Sequence, residues 1–188
     1  MNQAAHFISI LKRSIERGLV VSIYSNQYEP EKCSVGYVDT LSTEQFIMKH
    51  ITPEGLSDGY IVRRLDDIFR IDFNGEYEKR IVLLYTLQQQ KHESLFEEQT
   101  KKDLNLFKET FISAKNKDLI VSICMDEGDD IVGFVKDITT EEVVISRISS
   151  EGLCDGESSF FLDDVNKLNC DTVEEKTLKL LYNYKIND

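Results

Sequence analysis

Pairs of adjacent aspartates occur twice in this chain, as Asp66-Asp67 and Asp163-Asp164. Further carboxylates precede each pair: Glu54 and Asp58 before the first, Glu151 and Asp155 before the second. Carboxylate oxygens are the hard ligands that hold Ca²⁺ or Mg²⁺. Their spacing matches no EF-hand loop, and aspartates next to glycine or at strand ends commonly form turns and accept backbone N–H groups. We therefore interpret them as turn residues and candidate binding residues, and expect no metal and no cofactor.

The histidines do not form a catalytic pattern. His6, His50 and His92 are far apart in sequence, and none has a partner at metal-ligand spacing or a nearby nucleophile. The chain also lacks a G-x-S-x-G motif, a phosphate-binding glycine loop and H-E-x-x-H. We interpret the histidines as surface or incidental residues and expect a binding protein rather than an enzyme.

One short stretch mixes aromatic and basic side chains. Tyr60 is followed closely by Arg63-Arg64, a combination that could stack on bases and contact phosphates. The corresponding stretch later in the chain contains Phe160-Phe161, which must place one aromatic ring on each face of a strand. We expect core packing for most of these aromatic residues, with one phenylalanine at an interface between copies or chains.

An internal repeat positions all these residues. Residues 35–85 align with residues 132–182 without a gap, and about 19 of 51 aligned positions are identical. Each copy is expected to begin with a helix, continue through five short strands and end with a helix. Apolar residues three and four apart predict the helices, and alternation predicts the strands.

Glycines divide each copy at equivalent places. Val35-Gly36-Tyr37-Val38 and Val132-Gly133-Phe134-Val135 place a glycine inside the second strand, which predicts a bend. The segments 53–59 and 150–156 each carry two glycines and an Asp-Gly pair, which predicts tight turns with positive backbone angles.

Composition limits the partners. The formal net charge is −12, from 34 acidic and 22 basic residues, so nucleic acid and anionic membranes are repelled at long range. Residues 1–18 show no signal-peptide pattern, and no apolar run approaches the roughly twenty residues that cross a bilayer. We expect a cytoplasmic protein with a protein partner and no membrane contact.

The order of elements resembles the Sm-like family of small bent β-barrels, which includes the RNA chaperone Hfq. The leading helix, the strand at residues 19–23, Val35-Gly36-Tyr37-Val38 and the short strands around Asp67 carry the resemblance. It implies that each copy forms a small sheet closing on itself. The family's second motif is not matched at residues 68–71 or 165–168, so its RNA-contacting residues are not transferred.

These observations predict an α+β, mainly β protein of two tandem five-stranded Sm-like barrels, each flanked by helices. The expected divisions are residues 1–90, a connector at 91–103, and residues 104–188. The leading hypothesis is a non-enzymatic binding or scaffold protein that acts through protein contacts. The alternatives are an Sm-like RNA-binding protein and a small-ligand or metal-responsive protein or enzyme. Self-association is also expected, because a partly open barrel exposes strand edges.

Overall fold

The computed structural model describes residues 3–96, 104–125 and 130–187. The part of the predicted connector at 97–103 therefore lies outside the described residues. The first copy comprises α1 (Gln3–Arg17), β1 (Val20–Tyr24), β2 (Ser34–Leu41), β3 (Gln45–Ile51), β4 (Ser57–Arg64), β5 (Arg70–Phe73) and α2 (Glu76–Leu87). The second comprises α3 (Leu106–Asn116), β6 (Ile120–Met125), β7 (Ile131–Ile138), β8 (Glu142–Ile148), β9 (Cys154–Phe161), β10 (Val165–Cys170) and α4 (Val173–Asn187). A short 3₁₀ turn precedes the last strand of each copy, at Leu65–Asp67 and Leu162–Asp164.

The strands form one continuous antiparallel sheet. Their order is β5-β1-β2-β3-β4-β10-β6-β7-β8-β9, so each copy contributes five neighbouring strands and the copies meet where β4 pairs with β10. The prediction of an α+β, mainly β protein is confirmed. The finer prediction of two separate five-stranded barrels is not, because the strand pairing describes one open ten-stranded sheet.

The two main cores lie on opposite faces of this sheet. In the first copy, Phe7 and Leu11 of α1 belong to a buried cluster with Val21 and Phe46. In the second copy, α3 covers the equivalent strands, but its cluster also takes in side chains from β3 and β4: Ile47, Tyr60 and Val62. The face of the first copy's strands that lies opposite its own core therefore completes the core of the second copy.

The closing helices cover the opposite face of each copy's first strand. Ile81 of α2 is fully buried in a smaller cluster with Val20, Val35 and Ile51. In the second copy, Tyr182 of α4 packs on Phe134, with ring centroids 5.1 Å apart. Each sheet unit is thus held between its leading helix and its closing helix.

The predicted glycine turns are confirmed. Gly55, Gly59, Gly152 and Gly156 all have positive φ, between 60° and 80°. Gly55 and Gly152 also lie directly against the closing helices, where any Cβ would clash with Leu84 or Leu181 respectively. These glycines are required both by backbone angle and by the close approach of loop to helix.

No helix within the described ranges is long and apolar enough to cross a membrane.

The strand glycines provide the first testable prediction. A Cβ at Gly36 would clash with the carbonyl oxygen of Lys49 on the neighbouring strand, which is backbone and cannot rotate away. We expect Gly36→Ala to lower the free energy of unfolding by about 3 kcal/mol, measured by urea denaturation. Gly18→Ala is the control. It has φ of +59° but open space around its Cβ, so we expect a loss of only about 1 kcal/mol. Equal losses in the two variants would contradict the packing argument.

Candidate functional site at the junction of the two copies

The β4–β10 joint, the pairing of Tyr60–Arg63 with Lys167–Cys170, holds the copies together. Successive β4 side chains point to opposite faces of the sheet. Ile61 therefore enters the first copy's core, while Tyr60 and Val62 enter the second copy's core. The strand is thus buried on both faces and bonded on both edges.

The paired arginines belong to this joint. Arg63 donates hydrogen bonds to the carbonyl oxygen of Leu168 at 3.0 Å and to Oδ1 of Asn169 at 2.8 Å. Burial lowers the pKa of Arg63 below the ordinary value of a guanidinium, but the group stays charged at neutral pH. Arg64 donates to the carbonyl oxygens of Asp163 and Val165, both at 2.8 Å. Both arginines therefore bind backbone atoms of the second copy. Contact with a phosphate at the surface would need these side chains to be free.

Side chains of the first copy also cap both helices of the second. The buried amide of Gln45 accepts a hydrogen bond from the N–H of Leu106, the first residue of α3, at 2.6 Å. The carboxylate of Asp58 accepts one from the N–H of Val173, the first residue of α4, at 2.7 Å. Such bonds satisfy donors that a helix start leaves unpaired. The start of each second-copy helix thus takes one bond from the first copy, beside the caps that Asn105 and Glu175 provide within the second copy.

Asp58 links this cap to a histidine. Its second carboxylate oxygen lies 2.8 Å from Nδ1 of His50, which must carry the proton because a carboxylate only accepts. Burial opposes ionisation of Asp58, but the hydrogen bonds from His50 and Val173 outweigh it and lower its pKa. A His–Asp pair can activate a hydroxyl or thiol. Among the described residues no such group is hydrogen-bonded to the other ring nitrogen of His50, and the pair connects β3 to β4.

A second histidine extends the cluster. His92 Nε2 donates to the carbonyl oxygen of His50 at 2.8 Å, which leaves Nδ1 to accept from the Tyr85 hydroxyl at 2.9 Å. Burial lowers the pKa of His92, so the neutral tautomer that fits these bonds is favoured at pH 7. We call His50, Asp58, Tyr60, Tyr85 and His92 the junction cluster.

Tyr60 contributes the one buried polar atom that the described residues leave unsatisfied. Its ring stands edge-on to His92, with centroids 5.9 Å apart, and only 5% of the residue is exposed. Its hydroxyl has no hydrogen-bond partner among the described residues, and burial raises its pKa well above the ordinary value. A buried unpaired hydroxyl costs stability, and its position makes a stacking role for Tyr60 on a nucleic acid impossible without opening the joint.

The second copy does not reproduce the cluster. Arg147 stands in place of His50, and it binds the carbonyl oxygen of Asp155 at 2.7 Å on the surface. Glu157 stands in place of Tyr60 and is exposed. The cluster is therefore a property of the joint rather than of the repeated unit.

The other predicted site residues are dispersed. Asp66 and Asp67 lie in the first 3₁₀ turn, and Asp163 and Asp164 lie in the second. Glu54, Glu151 and Asp155 are exposed. Within the described ranges, no group of three or more histidine, cysteine or acidic residues is arranged to hold a metal ion. The two phenylalanines lie on opposite faces as predicted, since Phe160 is 8% exposed and Phe161 is 54% exposed, while the interface role of one of them stays a prediction.

The interpretation of His50 and His92 as surface or incidental residues is wrong, because both take part in the hydrogen bonds of the junction cluster. Gln45 was also missed as a capping residue. The only signal in the sequence was that His50 and Tyr60 differ from their counterparts Arg147 and Glu157 while the surrounding turn is nearly identical. Such a local departure within a repeat marks a place where the two copies have different neighbours.

Comparisons with known proteins add little. No family model matches the chain, and no curated protein sequence matches it. Among solved structures, MrkH of K. pneumonia aligns over 100% of this chain and 96% of its own, with 10% identity and a TM-score of 0.21. A likeness at that level carries no argument about fold or function.

The cap from Asp58 generates a second prediction. In Asp58→Asn the acceptor loses its charge, so the bonds to the Val173 N–H and to the His50 ring become weaker neutral ones. We expect the free energy of unfolding to fall by about 2 kcal/mol in chemical denaturation. The matched variant is Asp155→Asn, whose carboxylate is exposed in the second copy and should change stability by less than about 0.5 kcal/mol. A similar loss in both variants would argue against the capping role.

The third prediction concerns pH. The pKa of His92 is lower in the folded protein than in the unfolded chain, so the unfolded chain binds the proton more readily. The neutral His92 ring contributes its full stabilisation above pH of about 6.5. This contribution is lost as pH falls toward the pKa that His92 has in the folded protein. We expect His92→Gln to lose less stability than the wild type between pH 7 and pH 5, measured by urea denaturation at each pH. His6→Gln, at an exposed position, should follow the wild type, and a wild-type slope in His92→Gln would contradict the assignment.

Proposed function

We propose that this chain is a non-enzymatic binding protein that acts through protein contacts on its two closing helices. The observation that carries the proposal is a set of exposed apolar side chains at equivalent positions of α2 and α4. Leu83 and Leu180 are 57% and 71% exposed, and Leu87 and Tyr184 are 69% and 65% exposed. Single exposed apolar residues are ordinary, but a matched set on both copies favours a contact surface.

The neighbouring loops support the same surface. Leu56 and Leu153, in the equivalent glycine turns, are 41% and 51% exposed. Because Gly55 and Gly152 press against the closing helices, these loops are held on the same side of each copy as the helix they touch. Each copy therefore presents a loop leucine and two apolar helix residues on a rigid support.

The sheet edges are less suited to a partner. The end strands β5 and β9 pair on one side only among the described residues. Arg70 pairs with Asp72 on one of these strands, and Glu157 on the other pairs with Lys136. Charged side chains on an edge strand oppose pairing with another chain. Self-association through edges stays a prediction, which light scattering over a range of protein concentrations tests.

The Sm-like barrel and RNA-binding alternative rests on the order of elements. Its motivating patch was Tyr60 with Arg63 and Arg64, and these residues are engaged in the β4–β10 joint. The formal charge of −12 also opposes a polyanion. Protein contact is therefore the function that the geometry supports better.

A capture experiment tests the proposal. Purified chain would be immobilised and exposed at low salt to a lysate of its native host, with and without nuclease. We expect the variant with Leu83→Glu and Leu180→Glu to retain at least tenfold less partner protein than the wild type, because a carboxylate would be buried in an apolar contact. The control, Thr86→Glu combined with Asn183→Glu, adds the same charge to exposed positions of the same helices and should retain it.

Two results would count against protein contact at these helices. One is an identical set of retained proteins for the test and control variants. The other is a retained fraction that consists of RNA and disappears with nuclease, which would favour the Sm-like alternative.

A further inference from the structure

An open groove lies between the end of α1 and the side of α2 in the first copy. Its volume is about 410 Å³, and its walls are largely apolar, with Leu19 and Val20 on one side and Val82 and Leu83 on the other. Gly18 lies at one end, and Lys79 lies among the lining residues. Volumes of roughly 300–1,000 Å³ are typical of small-molecule sites.

The equivalent place in the second copy is spanned by ion pairs. Lys179 stands where the first copy has Val82, and Asp118 stands where it has Gly18. Lys179 Nζ lies 3.1 Å from the Asp118 carboxylate and also donates to the Asp118 carbonyl oxygen. A second pair, Lys176 with Asp171 at 3.5 Å, lies beside it. Both positions have left-handed backbone, since Gly18 and Asp118 have φ of 59° and 53°.

The comparison shows what the groove accommodates. In the second copy, the side chain of Lys179 crosses this place and is only 27% exposed, so an aliphatic chain with a polar end fits there. In the first copy, Val82 is too short to cross it. The open groove is therefore a consequence of two side-chain differences between the copies.

Two charged side chains line the groove, the Glu78 carboxylate and the Lys79 ammonium. Glu78, the carboxylate among the lining residues, is buried, and its oxygens accept hydrogen bonds from the Ser22 hydroxyl and the Gly75 N–H. Among the described residues Lys79 pairs with Glu76, and the two side chains are 64% and 92% exposed. Such surface pairs contribute little, so the Lys79 ammonium can exchange Glu76 for another carboxylate.

We propose that the first-copy groove binds a small amphipathic carboxylic acid. Its hydrocarbon body lies between Leu19, Val20 and Val82, and its carboxylate pairs with Lys79. The site exists in one copy only, because the Lys179–Asp118 pair occupies its counterpart. This binding does not depend on the protein contacts proposed for the helix faces.

Transplanting the ion pair tests the site, with octanoate as the probe. The titration would follow backbone amide NMR shifts of the full chain and of Gly18→Asp combined with Val82→Lys. That variant should fold, because an aspartate already adopts this φ at position 118 and a Cβ at Gly18 meets open space. We expect saturable shifts at Leu19, Val20 and Val82 in the wild type, and at least tenfold weaker binding in the variant.

Two further variants sharpen the result. Asp118→Gly combined with Lys179→Val should open a second site, with new shifts at Leu119 and Leu180. Lys79→Met should weaken octanoate binding and leave binding of neutral 1-octanol unchanged, since only the acid uses the ammonium group.

Three outcomes would overturn the proposal. The first is no saturable shift in the wild type, and the second is unchanged affinity in the ion-pair transplant. The third is a set of groove shifts that depends on protein concentration without octanoate, which would mean that a second copy of the chain occupies the groove. All are measured on the isolated chain, so failure here is separate from failure of the capture experiment.

Discussion

The two-sided burial of β4 is the constraint on which the rest of the molecule depends. Because alternate side chains of a strand point in opposite directions, Ile61 closes one core while Tyr60 and Val62 close the other. The second copy's core therefore lacks part of its wall without the first copy. The caps from Gln45 and Asp58 act in the same direction, since each joins the start of a second-copy helix to a first-copy side chain. A two-copy chain built this way should fold as one cooperative unit.

The joint also explains why the repeat is not symmetric. The counterparts of Tyr60, Ile61 and Val62 in β9 are Glu157, Ser158 and Ser159, which are polar. A strand with that composition gains little by burial between two cores. The second copy therefore lacks the side chains that would form the same joint with a further unit, and the sheet ends in charged edges. Identity between the copies is retained where both need it, at the glycine turns and the Leu-Asp-Asp segments, and is lost where their neighbours differ.

Local pattern was enough to predict most of the fold, and contacts distant in sequence were not predictable. The helix spacing of Phe7 and Leu11 and the glycine turns each depend on neighbours within one copy, so the sequence carries their signal. The pairing of Arg63 with Leu168 and Asn169 joins residues over a hundred positions apart, and nothing local marks either partner. The same is true of the candidate site: Asp58 was singled out as a turn carboxylate and Tyr60 as a possible stacking residue, whereas no local pattern marks the bonds of His50 to Asp58 and of His92 to Tyr85.

Duplication gives such a chain two surfaces of the same shape that need not have the same chemistry. The exposed side chains at equivalent positions of α2 and α4 are apolar in both copies, which suits a partner that contacts both. The grooves beside those helices differ, because Val82 and Gly18 leave one open while Lys179 and Asp118 fill the other. None of these positions lies in the β4–β10 joint, so each can change without loss of the contact between the copies. Specificity in this protein is therefore expected at positions where the copies differ on a common backbone, and the exchange of Gly18 and Val82 for their counterparts probes that expectation directly.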